Sequence, residues 1–414
     1  MARTMMVAVS ALALATTSVA AASAAQAKSS PAAHSMNVRR VCAVNRTPGV
    51  MSCMALMRTD VKQHLEVASN GHDPAPIGDG YGPSSLLSAY NLASASSSSP
   101  AGERVAVVDA YNDPTAVSDL ATYRSSWGLP ACNATTKAGC LTVTNQYGRT
   151  THLPADAGDT GWDVEESLDV DMVSAICPNC HIFLVEANGP TITALGTAVK
   201  NAVNKVHAKF VSNSYGGSVA KKDSTYDTDY YKHAGVAVTA SAGDSGYGPA
   251  YPAASPWVTA VGGTSLVQTG VGRGWTETVW DGSGGGCNGK DNARPSWQKF
   301  AVTQCSHRLE NDVAAIADPS TGVAIYDTYS QGGWLEVGGT SVASPIIASV
   351  FALAGNPTAG TYPTSYIYAH TSDLYDVTVG SNGSCSKPIF CNAETGYDGP
   401  TGWGTPNGTA AFTG

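Results

Sequence analysis

The segment best suited to covalent chemistry is Gly338-Gly339-Thr340-Ser341-Val342-Ala343-Ser344-Pro345, which leads into the apolar run 346–354. A Gly-Gly-Thr turn that delivers Ser341 into the first turn of a buried helix exposes its Oγ. The same turn aims the helix N-terminal N–H groups at whatever the hydroxyl attacks, which suits a developing oxyanion. An ordinary N-cap serine has the same local sequence. A serine nucleophile needs a base. Carboxylates offer one in the helical stretch Trp162 to Asp169, where Glu165 and Asp169 stand i, i+4 on one face. Two acids so placed repel when both are ionised, which favours a shared proton and a raised pKa. A solvated acidic face is the competing reading, and Glu166 and Asp171 fit it well. The third feature is Ser241-Ala242-Gly243-Asp244-Ser245-Gly246, directly after the strand expected at 236–240. In a parallel α/β sheet, ligands gather at the carboxyl ends of strands. Asp244 therefore lies where a substrate would bind, unless it is only a turn aspartate.

The surrounding pattern has to position these groups. A short helix is expected over 84–90, a flexible Ser-rich loop over 93–101 and a buried parallel strand over 104–109. Helices near 162–175, 192–208 and 226–233 then alternate with strands at 181–185, 210–214 and 236–240. That alternation predicts an α/β protein with a parallel sheet flanked by helices. One domain spans about 78–414, preceded by a polar extension or pro-segment at 28–77.

A net charge of −9 leaves no basic field for nucleic acid, and 43% hydrophobic residues exclude a disordered tail protein. Residues 1–27 combine a positive start, an apolar run and Ala25-Gln26-Ala27, the pattern of a cleaved secretory leader. No later stretch of about 20 apolar residues follows, so stable membrane association is not expected. Export makes disulfides the default for the ten cysteines. Sequential pairing of Cys42 with Cys53, Cys132 with Cys140, Cys177 with Cys180, Cys287 with Cys305, and Cys385 with Cys391 closes short loops, although spacing alone cannot fix connectivity. Cys177 and Cys180 read as a clip at a helix end.

Taken in order, these segments resemble the sedolisins, the serine-carboxyl peptidases. The resemblance rests on Tyr81-Gly82-Pro83, E-x-x-L-D at 165–169, S-A-G-D-S-G at 241–246, Y-P-A-A-S-P-W-V-T-A-V-G-G-T at 251–264, and G-T-S-x-A-x-P at 339–345. None of the nine histidines lies in a His-Gly-Thr context, in keeping with a family whose subtilisin-like fold replaces the histidine by a glutamate. The resemblance implies Ser341 as nucleophile, Glu165 as general base and then acid, and Asp169 as its proton-sharing partner. Asp244 would serve in the oxyanion hole beside the Ser341 N–H. It further implies peptide or protein substrates, an acidic pH optimum, a monomer, and either endopeptidase or tripeptidyl-peptidase action. One Ca²⁺ would be held by Asp376 and Asp398 with the main-chain carbonyls of Val377, Glu394 and Gly396; oxygen-only ligation suits such a hard cation. Acidic turn loops are the plainer reading of those residues. Typical members carry a long folded pro-domain, for which 28–77 is short. A secreted non-catalytic binding protein on the same fold is the alternative in function.

Overall fold

The computed structural model describes residues 1–2, 37–61, 80–99, 101–131, 140–288 and 293–414. The expected leader from Arg3 onward, residues 28–36 and 62–77 of the extension, and Cys132 lie outside the described residues. The chain divides into Met1–Ser35 and Met36–Gly414, and all that follows concerns the second unit.

In chain order the unit begins with three short strands, β1 (Val38–Arg40), β2 (Ser52–Cys53) and β3 (Leu56–Arg58). Then come α1 (Pro83–Ala89), α2 (Ala93–Ser98), β4 (Arg104–Ala110), α3 (Ala116–Ser126), β5 (Leu141–Asn145), α4 (Trp162–Ile176) and β6 (His181–Ala187). Next are α5 (Ile192–Asn204), β7 (Phe210–Asn213), β8 (Tyr215–Ser218), α6 (Asp223–Tyr226), β9 (Ala237–Ser241), β10 (Ala250–Tyr251), β11 (Thr259–Gln268) and β12 (Trp275–Val279). The remainder that bears on the site is β13 (Gly286–Cys287), α7 (Phe300–Thr303), β14 (Leu309–Glu310), β15 (Val313–Ile316), β16 (Val323–Asp327), β17 (Gly333–Gly338) and α8 (Thr340–Ala354).

The main sheet has eight strands in the order β12-β11-β9-β7-β4-β6-β5, with β15 also paired to β11. Every pairing is parallel except β11 with β12. β4 shows why the apolar runs form its centre: Val105 to Ala110 are all buried, as a strand covered on both faces requires. α8 is buried from Thr340 to Ala352 and packs against α4, β7, β9 and β15. A helix apolar all round belongs inside a molecule, and this one carries its first turn to the carboxyl ends of β7 and β9.

Several local expectations change. The Ser-rich stretch contains α2, because Ser97 and Ser98 hydroxyls fold back onto the Ser94 carbonyl at 3.1 and 2.7 Å and satisfy themselves within the turn. α3 was not legible in the sequence. The helix expected at 226–233 is one α-turn followed by a π-type turn, Asp227–Tyr231. Glu166 and Asp171 do not face solvent: all fifteen residues of α4 are buried, enclosed by α3, α8, β4 and β16.

Four of the five expected disulfides join described residues: Cys42–Cys53, Cys177–Cys180, Cys287–Cys305 and Cys385–Cys391. Cys177–Cys180 lies at the C-terminal end of α4. The N-terminal strands are integrated with the rest of the unit. β3 pairs with β17 and with β1, and β2 pairs with β8.

Candidate active site

Ser341 is the second residue of α8, and the turn before it depends on Gly339, whose φ is +99°. A Cβ there would lie 2.2 Å from the Met54 carbonyl oxygen and 2.8 Å from Asp244 Oδ2, so glycine is required both by conformation and by space. The Ser341 side chain is buried and its hydroxyl donates to the Ser214 carbonyl at 3.1 Å. The Ser214 hydroxyl in turn donates to Asp169 Oδ1 at 2.6 Å. One residue at the end of β7 thus connects the start of α8 with the acidic face of α4.

On that face Glu165 and Asp169 are fully buried, and neither Glu165 oxygen nor Asp169 Oδ2 has a hydrogen-bond partner. Burial pushes the Glu165 pKa well up, reinforced by the negative charges of Asp169, Asp109 and Asp244, while the Ser341 hydroxyl beside it pulls the other way. Burial raises Asp169 likewise, with a further push from Asp109 and a counter-pull from the Ser214 hydroxyl. Carboxyls crowded in this way resist ionising together and share the charge that remains.

Asp244 follows β9 and is buried with Oδ1 accepting from the Thr340 N–H and hydroxyl, each at 2.8 Å. Its Oδ2 is buried without a partner. Burial lifts this acid to about 6, against the two Thr340 bonds and the Arg40 charge. With Oδ1 fixed as an acceptor, a proton on Oδ2 makes Asp244 a hydrogen-bond donor beside the helix N-terminus. The structure therefore brings Glu165, Asp169, Asp244 and Ser341 into one buried cluster.

Sequence reasoning missed three participants. Asp109 is the next-to-last residue of β4, is pushed up to about 8 by burial, and acts on both Glu165 and Asp169. The available signal was an acid near the end of a strand that is otherwise apolar after Arg104. Ser214 had only its place at a strand end to mark it. Arg40 lies far off in sequence, yet its guanidinium donates to the Asp244 carbonyl at 2.6 Å and to Ser245 Oγ at 3.0 Å.

The expected cation ligands also converge in part. Asp376 accepts from the Gly396 N–H at 2.8 Å and Asp398 accepts from the Glu394 N–H at 3.0 Å, so the 394–398 loop wraps both carboxylates. Asp398 is raised to about 7 by burial, with Asp376 adding to it. Two acids held together beside turning backbone fit a hard cation, which would neutralise them. A group of three acids with carboxylate oxygens within 4.8 Å of one another lies elsewhere, at Asp113, Asp119 and Asp327. There Thr115, Thr328 and Tyr329 already donate to the carboxylates, as in a hydrogen-bonded polar cluster.

A sequence profile of the subtilase family matches residues 160–373. Kumamolisin from Bacillus sp. (strain MN-32) is 34% identical over 285 residues, covering 60% of this chain and 50% of that protein. Sedolisin from Pseudomonas sp. (strain 101) is 28% identical over 367 residues, covering 79% and 60%. Human tripeptidyl-peptidase 1 is 29% identical over 341 residues, covering 70% and 56%. The solved structure of Pseudomonas sedolisin, described as a serine-carboxyl proteinase complexed with two molecules of pseudo-iodotyrostatin, superposes with a TM-score of 0.65 at 25% identity. It covers 81% of this chain and 96% of that one. The architecture is thus the subtilisin-like α/β fold. The chain belongs to the subtilase family, in its sedolisin branch. It spans between 50% and 60% of the length of these three relatives. No described helix is long and apolar enough to cross a membrane.

Proposed function

We propose that this chain is a secreted serine-carboxyl peptidase that hydrolyses peptide bonds in acid through an acyl-enzyme on Ser341. Glu165 takes the Ser341 proton as the hydroxyl attacks the carbonyl carbon, and Asp169 shares the charge. Protonated Asp244 and the Ser341 N–H stabilise the oxyanion. Glu165 then returns the proton to the leaving amine, and water releases the acyl group by the reverse route. The single observation that carries this reading is the link through Ser214, whose carbonyl accepts from the Ser341 hydroxyl while its own hydroxyl donates to Asp169 on the buried acidic face of α4.

The pH dependence follows from opposite demands. Glu165 and Asp169 need an ionised fraction, so rate falls as acid protonates the pair. Asp244 needs its proton, so rate falls again as pH rises past about 6. A bell-shaped profile with an acidic maximum is expected in a casein or peptide-library digest across about pH 3 to 8. Ser341→Ala, folded by circular dichroism, should cleave nothing. An optimum above neutrality excludes this mechanism. Absence of all cleavage by folded wild type favours a binding protein on the same fold. Mapping the products separates endopeptidase from tripeptidyl-peptidase action.

One Ca²⁺ held by Asp376, Asp398 and the carbonyls of Val377, Glu394 and Gly396 completes the reading. Its role is structural, replacing the repulsion between the two carboxylates by attraction to a shared cation. Chelation should lower Tm by at least ~3 °C, reversibly on adding Ca²⁺. An unchanged Tm removes the ion from the proposal.

A further inference from the structure

At the end of the main sheet remote from Ser341, positive charge collects. The chain as a whole carries −9, yet residues 120–155 and 187–222 contain no Asp or Glu. The fold brings parts of these two stretches together at the amino ends of the central strands. Arg104 opens β4 and is paired in register with His181, the first residue of β6. Val105 pairs with Phe210 of β7, so Lys209, one residue earlier, stands on the other side of Arg104. The Arg104 guanidinium donates to the Val206 carbonyl at 2.7 Å and lies over the Phe183 ring, which stacks on His181 at 4.4 Å. Lys205 follows α5, and a Cβ at Gly148 would lie 3.0 Å from the Lys205 Cβ. The turn carrying Arg149 is also tied to α5 by Asn201, whose Nδ2 donates to the Gln146 carbonyl at 2.9 Å. Tyr147, Arg149, Asn201 and Lys205 line one open cavity of about 700 Å³.

Like charges side by side on neighbouring strands destabilise a sheet, and an acid set between them is the ordinary remedy. Here that remedy is missing: Arg104, Arg149, Lys205 and Lys209 are exposed, and none pairs with an acid among the described residues. Glu103, the neighbouring acid, accepts instead from Asn356 Nδ2 at 3.1 Å. Such a face is complementary to a chain of anions. The acid conditions proposed above narrow the chemistry of that chain. A carboxylate polymer loses charge near pH ~4, whereas a phosphate diester keeps its charge there. That charge is shared by two free oxygens, against three in a sulfate ester, so each oxygen accepts more strongly from an arginine fork or an ammonium. Nucleic acid is the poorer fit, because single strands bind on successive open aromatic faces. The Phe183 ring is already stacked on His181 with Arg104 over it, which leaves Tyr147 alone on this face among the described residues.

We propose that this face is a docking surface for a flexible polymer of phosphate units, one charge on each, held by Arg104, Arg149, Lys205 and Lys209. β4 runs ~20 Å from Arg104 to its carboxyl end, where Asp109 stands beside the catalytic acids. The polymer is therefore bound at the opposite end of the sheet from Ser341. Docking fixes the protein on a phosphate-rich surface and leaves the cleft open to substrate. It requires no catalysis, so it stands or falls apart from the peptidase reading.

The test uses the full chain as Ser341→Ala, so that binding is read apart from activity. At about pH 4 it should bind inorganic polyphosphate in titration calorimetry, and raising salt from ~50 to ~200 mM should weaken binding ~10-fold or more, as three or more phosphate contacts require. Adding Arg149→Gln and Lys205→Gln should cost at least ~10-fold at the lower salt. Lys221→Gln with Lys222→Gln removes the same charge just after β8 and should cost less than ~3-fold. Polyglutamate and dextran sulfate of matched length should bind more weakly than polyphosphate. Wild type held on immobilised polyphosphate should cleave a short neutral peptide at its free rate. No binding to polyphosphate, equal losses in the two double variants, or tighter binding of dextran sulfate or a single-stranded oligonucleotide overturns the inference. Cleavage lost on the immobilised polymer overturns the placement away from the cleft. Wild type that cuts no peptide, free or bound, brings down the peptidase reading alone.

Discussion

Asp244→Ala, fully folded, is expected to lose about 10²–10³ in kcat, the cost typical of removing one oxyanion donor. Asp244→Asn is expected to keep most of the activity and to change the pH profile instead. The reason is local geometry. Oδ1 already accepts two bonds from Thr340, and Oδ2 has none. An asparagine can keep its carbonyl on Thr340 and place its NH₂ where the protonated Oδ2 stood. The donor then no longer depends on a proton with a pKa of about 6, and the alkaline limb should move up until the next titration intervenes. Steady-state rates of both variants between about pH 3 and 8 decide the matter. If Asn and Ala are equally inactive, or Asn retains the wild-type alkaline limb, Asp244 does not act as a donor.

The second large effect is on the fold. Ser341→Ala, used to prevent self-digestion, should be more stable at pH 4 than at pH 8 by at least ~5 kcal/mol, with a Tm higher by at least ~5 °C. Burial raises Asp109 to about 8, Glu186 to about 9 and Asp327 to about 7. Unfolded, the same carboxyls titrate near ~4. Between those values the folded chain binds more protons than the unfolded one, so stability falls as pH rises. The contribution is complete below about pH 4 and is lost as pH climbs through the raised folded values. Both Asp109 oxygens are buried without partners, so this acid would have to ionise with no donor to compensate. Calorimetry or thermal circular dichroism at the two pH values is sufficient. A flat profile, or a higher Tm at pH 8, would mean these acids are already paired or hydrated.

Much of this protein was legible one segment at a time. The apolar run 104–109 became β4, the 162–175 pattern became α4, and the Gly-Gly-Thr-Ser turn became the start of α8, because each depends on local periodicity and backbone conformation. Glu165 and Asp169 could be paired because helix geometry places i and i+4 on one face. Near-neighbour cysteine pairing succeeded for four described pairs because short loops bring sulfurs together at little entropic cost.

What failed were judgements about surroundings. Glu166 and Asp171 have the composition of a wet helix face, but α4 is enclosed on all sides, and enclosure comes from elements remote in sequence. Asp109 and Ser214 join the site only because parallel pairing brings β4 and β7 side by side. The stretch around Met54, read with the polar extension at 28–77, gave no sign of its place. Its position comes from backbone N–H and C=O groups that every residue carries, so side-chain pattern could not disclose it. Local sequence determined which groups this protein carries and on which elements; only the tertiary fold decided which of them were sealed from water, and burial is what raises the acids' pKa values.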